Sequence, residues 1–137
     1  MTEQKIHPRV ERLATGEVWK LFGIEVIYAE DQQAELHLPV TEKFKQVYGV
    51  LHGGVIATVI DMAMGAAFST TLKPEEYGST LDLNIRYLKP MTGETLIVKS
   101  NIIRRGRRIV VLSAEALNEK GDHIASATGQ FMVLERS

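Results

Sequence analysis

Residues 51–72, LHGGVIATVIDMAMGAAFSTTL, are the longest apolar run in the chain. After the opening His52-Gly53-Gly54 the run holds one ionisable side chain, Asp61. Its length would suffice for a bilayer span, but a carboxylate near the middle is costly in lipid. The run therefore reads as a buried helix of a soluble protein, starting at the glycine pair and ending near Leu72, ahead of Pro74 and Gly78. Everything downstream alternates as β-strand. One long helix thus has to be buried by strands.

The strands follow from period-two alternation. Gly23 starts the first, with Ile24, Val26 and Tyr28 on one face and Glu25, Ile27 and Ala29 on the other. Asp31-Gln32 is a tight turn, and Ala34, Leu36 and Leu38 face inward on the second strand, which Pro39 stops. Residues 41–50 are a polar loop into the helix. Four more strands are expected at 79–88, 94–104, 108–118 and 123–134, with breaks at Lys89 to Gly93, Arg105-Gly106 and Glu119 to Asp122. On the strand at 79–88, Leu81, Leu83, Ile85 and Tyr87 share one face, opposite Thr80, Asp82, Asn84 and Arg86. Residues 1–16 are expected to be an arm or a short amphipathic helix, weakened by Pro8 and Gly16, with Trp19 and Phe22 as an apolar anchor.

The order β-β-α-β-β-β-β, with hairpin-length connections, predicts an α+β fold with a six-stranded, mostly antiparallel sheet. The helix is apolar nearly all round, so the sheet must curve around it. Ala57, Ala63, Gly65, Ala66 and Ala67 let strands approach its axis. An open sheet leaves edges, and a long edge invites pairing with a second copy, so a homodimer with a continuous sheet is expected. The chain of 137 residues supports one core, and 1–137 is read as a single domain.

Composition excludes several classes. The net charge of −1 and pI near 6.4 give no basic field for nucleic acid. The absence of cysteine excludes disulfides, thiolate chemistry and Cys-based zinc sites, and fits a cytoplasmic protein. Residues 1–13 are polar and mixed in charge, unlike a signal peptide, and no membrane association is expected. His7, His37, His52 and His123 are too scattered for a metal motif, and no metal or cofactor site is expected.

Three features carry potential chemistry. Gly54, Thr58, Asp61, Gly65 and Phe68 fall on one narrow helix face, which leaves room beside the carboxylate for a ligand or water. The plainer alternative is a buried Asp held by a hydroxyl or backbone group, but an unpaired acid in an otherwise uncharged helix is expensive to keep. The amides at His52-Gly53-Gly54 lie at a helix N-terminus, where unpaired N–H groups and the helix dipole can hold an oxyanion. A turn that merely needs glycine is the alternative, and His52 could equally be a capping residue. Arg104, Arg105, Arg107 and Arg108 surround Gly106 at a hairpin tip. Phosphate binding and a solvated turn are both open there, and composition alone favours the turn.

Taken together these residues resemble the hotdog-fold acyl-CoA thioesterases of the phenylacetate-pathway PaaI type and the thioesterase superfamily member 2 type. The matching elements are Gly49 to Gly54 with its HGG, Asp61 nine residues after His52, the DxNxxYxxP strand from Asp82 to Pro90, Gly93-Glu94, and Gly106-Arg107-Arg108. The resemblance implies a dimer, commonly paired into a homotetramer, with sites at the dimer interface. It implies that Gly53 N–H polarises the thioester carbonyl and His52 supports it. It further implies that Asp61 from the opposite subunit is nucleophile or general base, with Gln46 and Thr80 (or Ser79) placing the water. Some relatives carry Glu at the Asp61 position and Asn at the Gln46 position; the Asp and Gln of this chain mix the two. Gly54 and Ser79 join the substrate-binding set, and Arg104, Arg105, Arg107 and Arg108 gain weight as contacts to the CoA phosphates.

Coenzyme A would then be part of the substrate, and no separate cofactor is implied. Met62, Ala63, Met64, Phe68, Phe44 and Tyr48 are candidates to line an apolar acyl pocket. The competing reading is a non-catalytic acyl-CoA-binding or sensing module on the same fold. A dehydratase is disfavoured, because the His and acid arrangement it needs is not found.

Overall fold

The computed structural model describes residues 5–136. Two short helices, α1 (Pro8–Leu13) and α2 (Glu17–Phe22), precede β1 (Glu25–Glu30) and β2 (Gln33–Pro39). A 3-10 turn at Glu42–Phe44 leads to the long helix α3 (Gly53–Ser69). Four strands follow: β3 (Glu76–Tyr87), β4 (Thr95–Arg105), β5 (Ile109–Asn118) and β6 (His123–Glu135). All pairings between strands are antiparallel, in the order β1-β2-β4-β5-β6-β3, and the sheet stays open. The expected fold class stands. Among the described residues no helix is long and apolar enough to cross a membrane.

The N-terminus departs from expectation in an instructive way. Pro8 does not weaken a helix but starts one, at the position where its missing N–H costs nothing. Gly16 separates α1 from α2, and Gly23 closes α2 in the left-handed conformation (φ 71°) instead of opening β1. Residues 5–7 then lie along β1: His7 N–H donates to Ala29 O, and Ala29 N–H to Lys5 O. The β1 edge of the sheet is thereby paired at Ala29. Residues 1–4 of the expected arm lie outside the described residues.

Helix α3 packs on β2, β4 and β5, flanked by β3 and α1. Ala63, Ala66 and Ala67 are fully buried, as close approach to the sheet requires. The helix stops at Ser69 instead of Leu72. The Thr70 and Thr71 hydroxyls donate back to Ala67 O and Phe68 O, which also accept from the Thr70 and Thr71 N–H groups as the last turn tightens.

Two bulges overturn the simple alternation. In β1, Ile27 is unpaired, so Tyr28 faces outward opposite Glu35, while Ala29 turns inward opposite Ala34. In β3, Leu81 is the extra residue between Thr80 and Asp82. Thr80 therefore shares the inner face with Leu83, Ile85 and Tyr87, and Leu81 is left 48% exposed. A bulge inserts one residue and reverses the face of everything beyond it. That reversal brings the Thr80 hydroxyl to the helix.

Candidate active site

The start of α3 is organised around one free donor. His52 is the N-cap, and its Nδ1 accepts from Gly54 N–H at 3.1 Å. Val55 N–H and Ile56 N–H both donate to His52 O. Among the described residues Gly53 N–H has no acceptor, at a helix N-terminus whose dipole favours negative charge. The loop folds back onto this point, since His52 N–H donates to Phe44 O at 2.9 Å. Gln46 sits in a tight turn: Gly49 N–H donates to its carbonyl, and its side-chain Oε1 accepts from Tyr48 N–H at 2.9 Å.

Tyr87 completes this end of the site. Its hydroxyl donates to Gly53 O at 2.7 Å, and its ring stands 3.6 Å from where a Gly53 Cβ would lie. The peptide between Gly53 and Gly54 is thus held at both ends, its C=O by Tyr87 and its N–H by His52.

Asp61 lies two turns further along, half-buried, on the helix face that the sheet leaves open. Thr80 Oγ1 donates to Asp61 Oδ1 at 2.8 Å. Ser79, its neighbour, faces away from the helix, so of the two hydroxyls it is Thr80 that touches the acid. Eight residues separate Gly53 from Asp61, which is about 12 Å along a helix axis. One carbonyl group cannot reach both from the same chain.

The four arginines do not act as a set. Arg105 is turned inward: its Nε donates to Thr71 Oγ1 at 3.0 Å, and its Nη2 lies 3.6 Å from Glu76 Oε1. It sits beyond the C-terminal end of α3, where a cation complements the helix dipole, and is committed to holding that end. Arg104, Arg107 and Arg108 are exposed, and among the described residues their side chains make no hydrogen bond or ion pair. The candidate pocket residues also divide. Met62 and Phe68 face a cavity beside Asp61. Ala63 and Met64 are buried and do not line it, Phe44 packs on Phe22, and Tyr48 is 87% exposed.

The model of the Thioesterase superfamily matches residues 48–125, which span the helix start, Asp61 and the DxNxxYxxP strand. The chain belongs to the thioesterase superfamily. A thioesterase family protein of Silicibacter pomeroyi has the same fold, with a TM-score of 0.88 and 26% identity over 93% of this chain and 97% of its own. A Bacillus halodurans protein whose crystal structure holds CoA superposes with a TM-score of 0.81 and 31% identity, over 90% of this chain and 80% of its own. The Escherichia coli medium/long-chain acyl-CoA thioesterase YigI is 37% identical over 97 residues, 61% of this chain and 63% of its own length. The hotdog architecture of the superfamily is the one described above, an open antiparallel sheet around one long helix. Within that frame, sequence reasoning singled out Asp61, His52 and Gly53, but gave Tyr87 and the N-terminal helices no part in the site. Tyr87 looked like one more inward strand residue, and only the fold brings its hydroxyl to Gly53 O.

Proposed function

We propose that this thioesterase-superfamily chain hydrolyses acyl-CoA esters to the free acid and coenzyme A, in a homodimer where each site takes Gly53 from one copy and Asp61 from the other. The observation that carries this reading is the pairing of an unclaimed Gly53 N–H with a Thr80-held carboxylate too far along the same helix to share one substrate. The Gly53 amide receives the thioester oxygen as it becomes an oxyanion. Asp61 takes a proton from water, the water oxygen adds to the carbonyl carbon, and collapse expels the CoA thiolate, which regains the proton from Asp61. Asp61 as direct nucleophile would give an anhydride that water then opens, with the same products. Gln46 and Thr80 place the water and the carboxylate. Coenzyme A enters as part of the substrate, and the steps above need no other cofactor.

The names of YigI and of the CoA-containing Bacillus halodurans structure support the CoA ester as substrate class. The exposed Arg104, Arg107 and Arg108 are suited to its phosphates. Asp61→Asn keeps the volume and a hydrogen-bond acceptor for Thr80, but not the base. It should fold and elute like the wild type while losing about 10²–10⁴-fold in kcat, read as thiol release from octanoyl-CoA. Unchanged turnover would remove Asp61 from the chemistry. Tight binding without thiol release in the wild type would favour a sensing module instead.

A further inference from the structure

Beside Asp61 and Thr80 the open helix face deepens into a cavity of about 570 Å³. Its apolar walls come from three separated parts of the chain: Leu13 and Trp19 from the N-terminal helices, Met62 and Phe68 from α3, and Phe131 from β6. The charged Arg9, Arg12, Glu76 and Arg136 line the cavity as well, so the apolar chain is placed against the first set. Gly65 joins the same wall one helical turn after Asp61.

A glycine inside a helix is destabilising relative to alanine, so its presence needs a physical reason. Close packing is the usual one, and Gly78 illustrates it: a Cβ there would be driven into the Phe68 ring. Gly65 has no such reason. Its backbone is ordinary right-handed helix, and a Cβ would meet nothing nearer than Phe131 Cε2 at 3.8 Å, an ordinary contact. Gly65 is only half-buried, unlike the fully buried Ala63, Ala66 and Ala67. What the missing side chain does is leave space open beside Asp61.

We propose that this cavity is the acyl-binding pocket, that it takes an apolar chain well beyond acetyl, and that Gly65 sets how bulky or long that chain can be. The inference rests on the hydrolase reading for its substrate class. The volume lies within the range of pockets that enclose whole small ligands, and a two-carbon acyl group would leave most of it empty. The reacting carbonyl would lie beside Asp61, and the chain would run past Gly65 under the roof made by α1 and α2.

The chain carries a single tryptophan, and it lines this cavity, so the pocket has its own reporter. The probe is S-decyl-CoA, a thioether that cannot be hydrolysed. Its titration should change Trp19 emission saturably, and Gly65→Val should weaken that binding about ten-fold or more, the scale of adding one or two methyl groups to an apolar pocket. With esters, Gly65→Val should lower kcat/KM for decanoyl-CoA by a similar factor and leave butyryl-CoA within about two-fold. Gly65→Ala guards against misfolding. It should elute at the wild-type size and melt about 2–5 °C higher, with an intermediate loss on decanoyl-CoA.

Equal losses on both esters, or none, would overturn the pocket assignment, as would Trp19 emission indifferent to bound S-decyl-CoA. A lower melting point with loss of the dimer would show that Gly65 serves an interface. If no ester is turned over but S-decyl-CoA binding still depends on Gly65, the pocket stands and the hydrolase reading falls.

Discussion

At Gly53 the direction of an N–H is set by groups that never touch substrate. The amide belongs to the His52–Gly53 peptide, which follows a residue held by His52 N–H to Phe44 O. The next peptide is clamped by the Tyr87 hydroxyl on one side and His52 Nδ1 on the other. With both neighbours fixed, the Gly53 amide has little freedom to turn away. Tyr87→Phe deletes the hydroxyl and keeps the ring that packs on Gly53. An oxyanion donor is worth about 10²–10³ in rate, so a loosened one should lower kcat by about 3–30-fold while KM changes less than about two-fold. The loss of one hydrogen bond should cost about 1 kcal/mol in chemical denaturation. Steady-state kinetics on octanoyl-CoA checks the split. An unchanged kcat would mean that the helix alone aims the donor. Asp61 and Gly53 were legible in the sequence because a carboxylate in an apolar run and a glycine pair at a helix start are conspicuous. Tyr87 was not, since an aromatic at an alternating strand position reads as packing.

At the scale of elements, the turn between β5 and β6 latches the loop between β3 and β4. The Glu119 carboxylate accepts from Glu94 N–H at 2.8 Å and from Thr95 N–H at 3.3 Å. Gly93 makes this approach possible: its φ is 124°, and a Cβ would collide with the Glu119 carboxylate. The amide of Glu94 first, with those of Glu119 and Thr95, holds the Glu119 carboxyl below its ordinary value of 4.5. The Asn118 side chain, then Lys89, does the same for Asp122. A carboxyl lowered in the folded state contributes stability above its unfolded pKa and loses it as pH falls through the folded value. Glu119→Gln keeps one acceptor but turns an NH2 toward the second amide. It should therefore lower the melting temperature more at pH 7 than at pH 3, with the wild-type advantage fading below about 4.5. An equal deficit at both values would refute the linkage. The sequence showed the turn and the Gly93-Glu94 pair, but not that one served the other. Its alternation placed the inner face of β2 correctly, because Ala34, Leu36 and Leu38 sit in an uninterrupted period-two run. It failed at Tyr28 and Thr80 because a bulge adds one residue without changing the apolar pattern. The contact between Thr80 and Asp61 depends on such a bulge.

At the scale of the molecule, the two ends of the sheet differ. Residues 5–7 pair with Ala29 of β1, whereas among the described residues the outer edge of β3 has no partner along its 12 residues and exposes Leu81 and Tyr87, with Leu88 just beyond it. Unprotected apolar edges of that length pair with another chain, and a two-fold interface would set β3 against its own copy. Tyr87 pins Gly53 from this same strand, and Thr80 pins Asp61 from it. Both half-sites are therefore tied to the edge that would meet the partner. The consequence can be tested by mixing two inactive variants. Gly53→Pro removes the donor N–H at the first helical position, where proline is tolerated, and His52 is already in the extended conformation that proline requires of its predecessor. Asp61→Asn removes the base. Each homodimer should be dead. A mixed dimer holds one site with both defects and one site with neither, so random reassociation of equal amounts should restore about one quarter of wild-type turnover by two-fold symmetry. Mixing after reversible dissociation, followed by thiol release from octanoyl-CoA, measures it directly. If Gly53 and Asp61 of one chain worked together, every mixed dimer would carry one defect per site, and no activity would return at any mixing ratio.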